Sequence, residues 1–276
     1  MDTISAGSII AFAMECYENG IISKEETEGI ELTWGNAQAM LEILERMAQR
    51  EGFGDTLADG VQRAARRIGR GAEEYAIHVH GQEPGYHDPR FSPFRGLGYI
   101  SNPAPGRHMV SNAAIRLEGE GKLGPYPEIQ VPQEGDENER GGQINAIASS
   151  YSQVFESCGL CLFALSDGSN YPMVEFINAV TGWDLTVAEV IAAGKRILTT
   201  RQAFNIKEGL TANDFHLPER LARPATMGPS AGRRIDFEAL RNSYYKAMGW
   251  DDKATFDSLI PVTNEAIRGI LAANTP

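Results

Sequence analysis

Apolar residues recur at helical spacing along most of the chain. Between positions 5 and 19 they fall on one helical face, and Gly20 follows where a helix C-terminus favours glycine. Ser23 and Glu26 form a capping-box pattern that predicts a short helix. The pattern therefore predicts an all-α fold, a multihelical array with short extended segments. Further helices are predicted at 36–50, 55–68, 143–155, 171–180, 187–204, 236–248 and 264–272.

A change in composition interrupts the helical period after the first third of the chain. Residues 75–80 alternate as a short strand or an extended arm, and residues 81–106 are rich in glycine and proline. This interruption predicts two lobes. The first is a helical lobe at 1–80, and the second is a helical C-terminal domain at 81–276.

Other segments lack a helical period and are predicted to be connections. Residues 119–142 have loop composition, and the acidic run at 134–139 is typical of a solvated surface segment. Residues 217–220 and 224–232 are predicted to be extended connectors. These segments leave the helices as the main carriers of the fold.

Composition and charge limit the classes of protein and partner. The chain has 276 residues, 42% of them hydrophobic, but lacks the uninterrupted apolar run of about 18 residues that a bilayer-spanning helix needs. Its net charge of -12 repels phosphate backbones, which argues against a nucleic-acid partner. Three cysteines do not make a secreted disulfide framework, and the first residues do not resemble a signal peptide. We therefore expect a cytoplasmic protein without a membrane partner.

One stretch concentrates residues with ligand-binding chemistry. Glu156 is followed at short spacing by Cys158, Gly159 and Cys161. A carboxylate accepts hydrogen bonds from N–H groups, glycine lets a ligand approach the backbone, and a thiolate binds soft metals. From spacing alone, the two cysteines also suit a zinc site or a redox dithiol, and Glu156 also suits a solvated helix end. Cys16 lies in a predicted helix and is predicted to be structural.

Several motifs in a fixed order resemble those of the aldehyde ferredoxin oxidoreductase family, and together they span nearly the whole chain. The family's members are tungsten-pterin enzymes, and their C-terminal domains are helical. The motifs are DTISAG at 2–7 with AFAME at 11–15, EEYAIHV at 73–79 with HDPR at 87–90, GLGY at 96–99, ESCGLCLF at 156–163, TGWD at 181–184, FNIKEG at 204–209, LPER at 217–220, and YY at 244–245 with GW at 249–250.

The resemblance assigns cofactor-binding roles to specific residues. In the family, an Asp-x-x-Gly-Leu-(Asp or Cys) pattern occurs twice and holds the two pterins of a tungsten or molybdenum cofactor. Glu156, Gly159, Leu160 and Cys161 match the second copy, with a glutamate one methylene longer than the family's aspartate. Asp2 matches the end of the first copy. The resemblance also implies that Cys161 is a metal ligand, the fourth ligand of a [4Fe–4S] cluster.

The resemblance also implies a catalytic histidine. His108 follows Gly98 by ten residues, where the family places a histidine that assists proton transfer. The alternative for His108 is a solvated loop residue. The resemblance gives His78 and His80 no ligand role. In the HDPR loop, Pro89 is expected to make the loop rigid and to leave Arg90 free to pair with an anion.

The implied function is oxidation of an aldehyde to a carboxylic acid, with electrons passing through the [4Fe–4S] cluster to ferredoxin. The family's N-terminal base domain and its C-x-x-C-x-x-x-C run, which supplies the other three cluster ligands, are not in this sequence. We therefore expect the isolated chain to be catalytically incomplete, and to require a polypeptide that carries the base domain or to be part of a longer protein. Assembly as a homo-oligomer is compatible with the resemblance.

Two other function classes remain open. The same scaffold can host another reaction, such as reduction of an aromatic acyl thioester, because substrate choice depends on residues that the motifs do not identify. The chain can also be a non-catalytic helical interaction module that has lost its cofactor. Glutamate at position 156 and the altered loop before His108 favour this second alternative, whereas retention of Cys161 opposes it.

Overall fold

The computed structural model describes residues 1–121, 123–129, 131–132, 135–161, 163 and 171–254. These ranges contain no β-strand, only single-residue bridges between extended segments. The predicted all-α class is therefore confirmed for the described part of the chain. The α-helices are α1 (Thr3–Glu18), α2 (Ala37–Gln49), α3 (Phe53–Leu57), α4 (Val61–Ile68), α5 (Pro93–Ser101), α6 (Asn112–Glu120), α7 (Glu137–Ser157), α8 (Met173–Thr181), α9 (Val187–Lys207), α10 (Glu219–Ala222) and α11 (Phe237–Met248), with 3₁₀ turns at Ala72–Tyr75 and Ala212–Asp214.

The chain forms two compact units, and neither is continuous in sequence. The first unit contains Met1–His87 together with His216–Arg223, and the second contains the other described residues. The division into domains at residue 80 stays a prediction.

The first unit is built around α1. The buried residues of this helix share an apolar core with Ile43 and Met47 of α2. Arg220 of α10 donates two hydrogen bonds to the carboxylate of Glu15 in α1, at 2.8 and 2.7 Å. This bidentate geometry makes the pair more specific than a single contact and ties the segment of residues 216–223 to the first unit.

The second unit is built around α7. Most residues of α7 between Gly141 and Phe155 are buried, and α6, α9 and α11 pack against this helix. Helices α7 and α9 approach closely at Gly194 of α9, where a Cβ atom would lie 1.9 Å from the carbonyl oxygen of Ser150 in α7. Glycine is needed at this position because any side chain would overlap the facing backbone.

No helix in the described ranges has both the length and the apolar character needed to cross a bilayer. The two longest of them, α7 and α9, have 21 residues each and contain charged side chains. These two long helices pack against each other within the second unit.

Predicted helices with clear capping signals are confirmed. The prediction at 36–50 corresponds to α2, which Asn36 caps by accepting a hydrogen bond from the Ala39 N–H at 3.1 Å. The prediction at 187–204 corresponds to α9, where Thr186 and Glu189 form both hydrogen bonds of a capping box. In both helices, the cap satisfies a backbone N–H group of the first helical turn.

Two predicted helices differ from the structure. The single helix predicted at 55–68 is two helices, because the chain breaks before Val61, whose N–H donates to the buried carboxylate of Glu83 at 2.6 Å. At 23–26 the capping box forms, but the following residues make turns rather than a helix. Glu28 and Gly29 both have positive φ there, 56° and 92°, which a right-handed helix cannot continue.

Some segments predicted to be irregular are helical. Residues 81–106 contain α5, which begins at a proline and includes two glycines, so its composition is typical of a loop although it forms a helix. Residues 119–142 contain the start of α7, and residues 217–220 contain the start of α10. The helix predicted at 264–272 and the first residue of the acidic run at 134–139 lie outside the described residues.

Candidate functional site

The end of α7 forms an open turn. The N–H groups of Cys158, Gly159 and Leu160 donate to carbonyl oxygens of the last helical turn at 3.0, 3.0 and 3.3 Å. Gly159 has a left-handed φ of 74°, and no atom of the described residues lies within 4 Å of the position that a Cβ would take. Leu160 packs against the core of the second unit, and Cys161 is exposed. The turn therefore presents bare backbone beside a thiol.

Glu156 is half-buried in the last turn of α7. Burial raises the pKa of its carboxyl, and the positive charges of Arg201 and Arg107 oppose this rise. Arg201 also donates a hydrogen bond to the side-chain oxygen of Gln153, one turn earlier in α7. The two arginines therefore place positive charge around a carboxyl group that can accept hydrogen bonds.

The cysteines do not form a metal site by themselves. Cys158 and Cys161 are both exposed free thiols, and burial raises the pKa of Cys158. Within the part of the chain that the structure describes, no group of three or more His, Cys, Asp or Glu side chains can hold a metal ion. A metal centre at Cys161 therefore needs ligands from elsewhere. Cys16 is fully buried in α1, and burial raises its pKa to about 12, as expected for an inert structural thiol.

His108 lies in the loop between α5 and α6. Its ring is half-buried and meets the buried Tyr99 edge-on, with 6.2 Å between the ring centroids. Its backbone oxygen accepts a hydrogen bond from the Ser111 hydroxyl at 3.0 Å. The preceding residue, Arg107, is one of the two arginines whose charge acts on Glu156. The His108 loop and the end of α7 therefore belong to one region of the second unit.

Asp2 lies in the first unit and has a structural role there. Its side chain accepts a hydrogen bond from the N–H of Ser5 at 2.7 Å and caps α1. This bond fixes the carboxylate at the start of a helix, where the macrodipole stabilises negative charge.

The structure corrects the expectation for Arg90 and accounts for His78. Arg90 is not available to an outside anion as predicted, because it donates to Asp88 through Nε at 2.9 Å and Nη2 at 2.7 Å. His78 accepts a hydrogen bond from the Gly81 N–H at 3.3 Å, and burial lowers its pKa. Its ring therefore stabilises a turn in the neutral form.

The sequence did not identify Arg201, Arg107 and Gln153 as part of this region. Gln153 precedes Glu156 by three residues in a predicted helix, which is a usable signal for a shared face. Arg201 is 45 residues beyond Glu156. Nothing in its local pattern distinguishes it from a surface arginine.

Comparisons with known proteins agree with the motifs. Residues 1–257 match the family model described as aldehyde ferredoxin oxidoreductase, domains 2 and 3. The tungsten-containing aldehyde ferredoxin oxidoreductase of Pyrococcus furiosus is 34% identical over 264 residues, which cover 95% of this chain and 42% of that protein. The corresponding protein of Thermococcus kodakarensis is 33% identical, with the same coverage. The chain thus spans less than half the length of these relatives.

Two further similarities come from a differently named relative and from a solved structure. The aliphatic sulfonate oxidoreductase, WOR-like subunit, of Pyrococcus furiosus is 28% identical over 91% of this chain and 38% of that protein. The active-site complex BamBC of benzoyl coenzyme A reductase, solved with 1,5-dienoyl-CoA, has a TM-score of 0.73 at 24% identity, covering 98% of this chain and 46% of that chain. The second similarity shows a shared fold.

Proposed function

The chain belongs to the aldehyde ferredoxin oxidoreductase family, and on that premise we propose that it forms the helical part of an enzyme that oxidises aldehydes to carboxylic acids. The reaction converts an aldehyde and water into a carboxylic acid, two protons and two electrons. Ferredoxin is the proposed acceptor. The observation that carries the proposal is the turn after α7, which combines the Glu156 carboxyl, the bare Gly159 backbone and the exposed Cys161 thiol.

The turn suits a tungsten- or molybdenum-bound pterin. Pterin rings carry amide and amino N–H groups that can donate hydrogen bonds to the Glu156 carboxyl. The space around Gly159, open among the described residues, lets a flat ring approach the backbone. Asp2, at the start of α1, is the proposed contact for the second pterin. When bound, the group would supply the oxygen-atom and electron chemistry, while these residues hold and orient it.

Cys161 is the proposed cluster ligand of this chain. A [4Fe–4S] cluster binds four thiolates, whereas this chain has three cysteines, of which Cys16 is buried in the first unit. Cys158 matches no family ligand. We therefore propose that the other three ligands come from a polypeptide sequence that also carries the N-terminal base domain.

His108 is the proposed proton-transfer residue, and His108→Ala should lower aldehyde turnover about 100-fold, the lower end of the range for loss of a general acid or base. Tungsten and iron contents should not change, because the imidazole holds neither metal in the proposal. Steady-state turnover measured across pH, together with metal analysis, would check this.

His216→Ala provides the matched control, because His216 is an exposed histidine of the first unit. Its turnover should equal that of the parent enzyme. Unaltered turnover in His108→Ala would instead assign His108 to the loop surface.

The proposed function is tested by purifying the chain from its own cells under anaerobic conditions. We expect it to bring with it sequence containing a C-x-x-C-x-x-x-C run, and the assembly to contain tungsten or molybdenum and to reduce ferredoxin with an aldehyde. Stoichiometric metal and iron in the chain alone would contradict the assembly. An assembly without metal or aldehyde activity would contradict the proposed aldehyde oxidation and favour a non-catalytic interaction module.

A further inference from the structure

A separate cleft opens in the second unit, at the starts of α5, α7 and α11. It has a volume of about 790 Å³, within the range of about 300–1,000 Å³ that is usual for small-molecule sites. Phe94, Ile144 and Leu240 line it, and all three are buried members of the unit's interior. The cleft therefore has an apolar floor of the kind that holds the body of an organic ligand.

Four arginines line the same cleft and come from three separate segments. They are Arg95 of α5, Arg140 of α7, and Arg233 and Arg234 before α11. The lining also includes three carboxylates, which leaves a formal excess of one positive charge in a chain whose net charge is -12. One of the three, Asp236, is occupied as the N-cap of α11 and accepts the Ala239 N–H at 2.9 Å.

Backbone carbonyl oxygens, rather than carboxylates, hold two of these arginines in position. Arg140 donates through Nε to the carbonyl oxygen of Pro132 at 2.9 Å. Arg233 donates through Nη1 to the carbonyl oxygens of Arg90 and Phe91, both at 3.4 Å. Carbonyl oxygens orient a guanidinium group but do not neutralise its charge. The side chains are thus pre-positioned, while their charge remains available to an anion.

Within the described ranges, Arg140, Arg233 and Arg234 form no ion pair with a carboxylate. Glu118 is a nearby carboxylate that could pair with these arginines. The charges of Arg140 and Arg233 act to lower the pKa of Glu118, but burial outweighs them and raises it. Arginines elsewhere, such as Arg50, are paired with carboxylates at 2.6 to 3.2 Å. Among the described residues, the charges of Arg140, Arg233 and Arg234 are not neutralised in this way.

We propose that this cleft binds a small organic anion. A phosphate or carboxylate group would lie among Arg140, Arg233 and Arg234, where guanidinium groups can donate bidentate hydrogen bonds to its oxygens. An aromatic or aliphatic body would lie on the floor formed by Phe94, Ile144 and Leu240. The site is distinct from the turn after α7 and does not rest on the function proposed for that turn.

The test is calorimetric titration of the full chain with phenyl phosphate, inorganic phosphate and benzyl alcohol. Phenyl phosphate should bind saturably and more tightly than inorganic phosphate, because only phenyl phosphate has a body for the apolar floor. Benzyl alcohol, which lacks the anion, should not bind measurably. The Arg233→Gln/Arg234→Gln double variant should weaken phenyl phosphate binding about tenfold, as expected for loss of charge-assisted hydrogen bonds.

The matched control is the Arg63→Gln/Arg66→Gln double variant, which makes the same charge change at two exposed arginines of α4. It should bind phenyl phosphate like the parent chain, and circular dichroism should show both double variants folded. The proposal would be overturned by absence of saturable binding to the parent chain, or by equal weakening in the two double variants.

Discussion

Gly194→Ala should lower the free energy of unfolding of the second unit by about 3 kcal/mol, the upper end of the usual cost of overpacking. The added Cβ would lie 1.9 Å from the carbonyl oxygen of Ser150. This neighbour is backbone, so it cannot move aside by changing rotamer. Helices α7 and α9 would have to separate along a buried contact. For a unit of this size, the loss corresponds to roughly 6–12 °C in the melting temperature.

The fluorescence of Trp250 provides the measurement. This tryptophan is buried in the second unit, and its Nε1 donates to the hydroxyl of Thr199 in α9 at 3.1 Å. Trp34 and Trp183 are exposed and contribute a smaller change on unfolding. Urea titrations of the parent and the variant, followed by the emission shift, would give the change in midpoint.

Gly119→Ala is the matched control. Gly119 lies within α6, and in the part of the chain that the structure describes no atom is within 4 Å of the position of an added Cβ. Alanine there should stabilise the helix by about 0.5–1 kcal/mol, because glycine has the greater backbone entropy to lose. An unchanged midpoint for Gly194→Ala would mean that the two helices do not approach as closely as described.

Cys161→Ser should remove most of the iron from the assembled enzyme and slow reduction of the acceptor. A serine hydroxyl is a weaker iron ligand than a thiolate, because it stays protonated at neutral pH and its oxygen is a harder donor than sulfur. Loss of an outer-shell partner alone typically costs about 10–100-fold in metal affinity or activity, so loss of a ligand should cost at least as much. Iron analysis and the rate of ferredoxin reduction are the measurements.

Cys158→Ser makes the same atomic change three residues away, at another exposed thiol. Iron content and rate should be retained in this control. Because both side chains are exposed, neither variant should disturb the packing of α7. Equal iron contents in the two variants would remove Cys161 from the cluster and return the pair to the dithiol interpretation.

The helices were predictable where local chemistry determines them. The helical spacing of apolar residues located α2 and α9 to within a few residues. Helix α5 was missed because its nine residues include Pro93, Gly96 and Gly98, and proline and glycine are typical of loops. The break before Val61 was missed because its cap, Glu83, lies 22 residues further along the chain.

The candidate site shows the same limit. The carboxyl, glycine and thiol at 156–161 are adjacent in sequence, and their resemblance to a family motif makes them recognisable. The charges of Arg107 and Arg201 act on Glu156 because the fold brings the α5–α6 loop and α9 near the end of α7, and the local sequence around an arginine does not predict this. Arg90 was expected to serve an anion but instead pairs with Asp88, two residues before it. Whether an arginine binds a neighbouring carboxylate or an outside anion depends on the folded geometry, which composition does not predict.

The return of residues 216–223 to the first unit has a consequence for biosynthesis. Arg220 binds Glu15 across 205 residues, so the ribosome must make most of the chain before the first unit has all its parts. Until residues 216–223 have been synthesised, the surface of the first unit that they cover is exposed to solvent. The same constraint applies to cutting the chain between the units. Cleavage after His87 would yield an N-terminal fragment without α10 and a C-terminal fragment that still carries residues 216–223 of the first unit. The two units can therefore be told apart in space but not divided by a single cut.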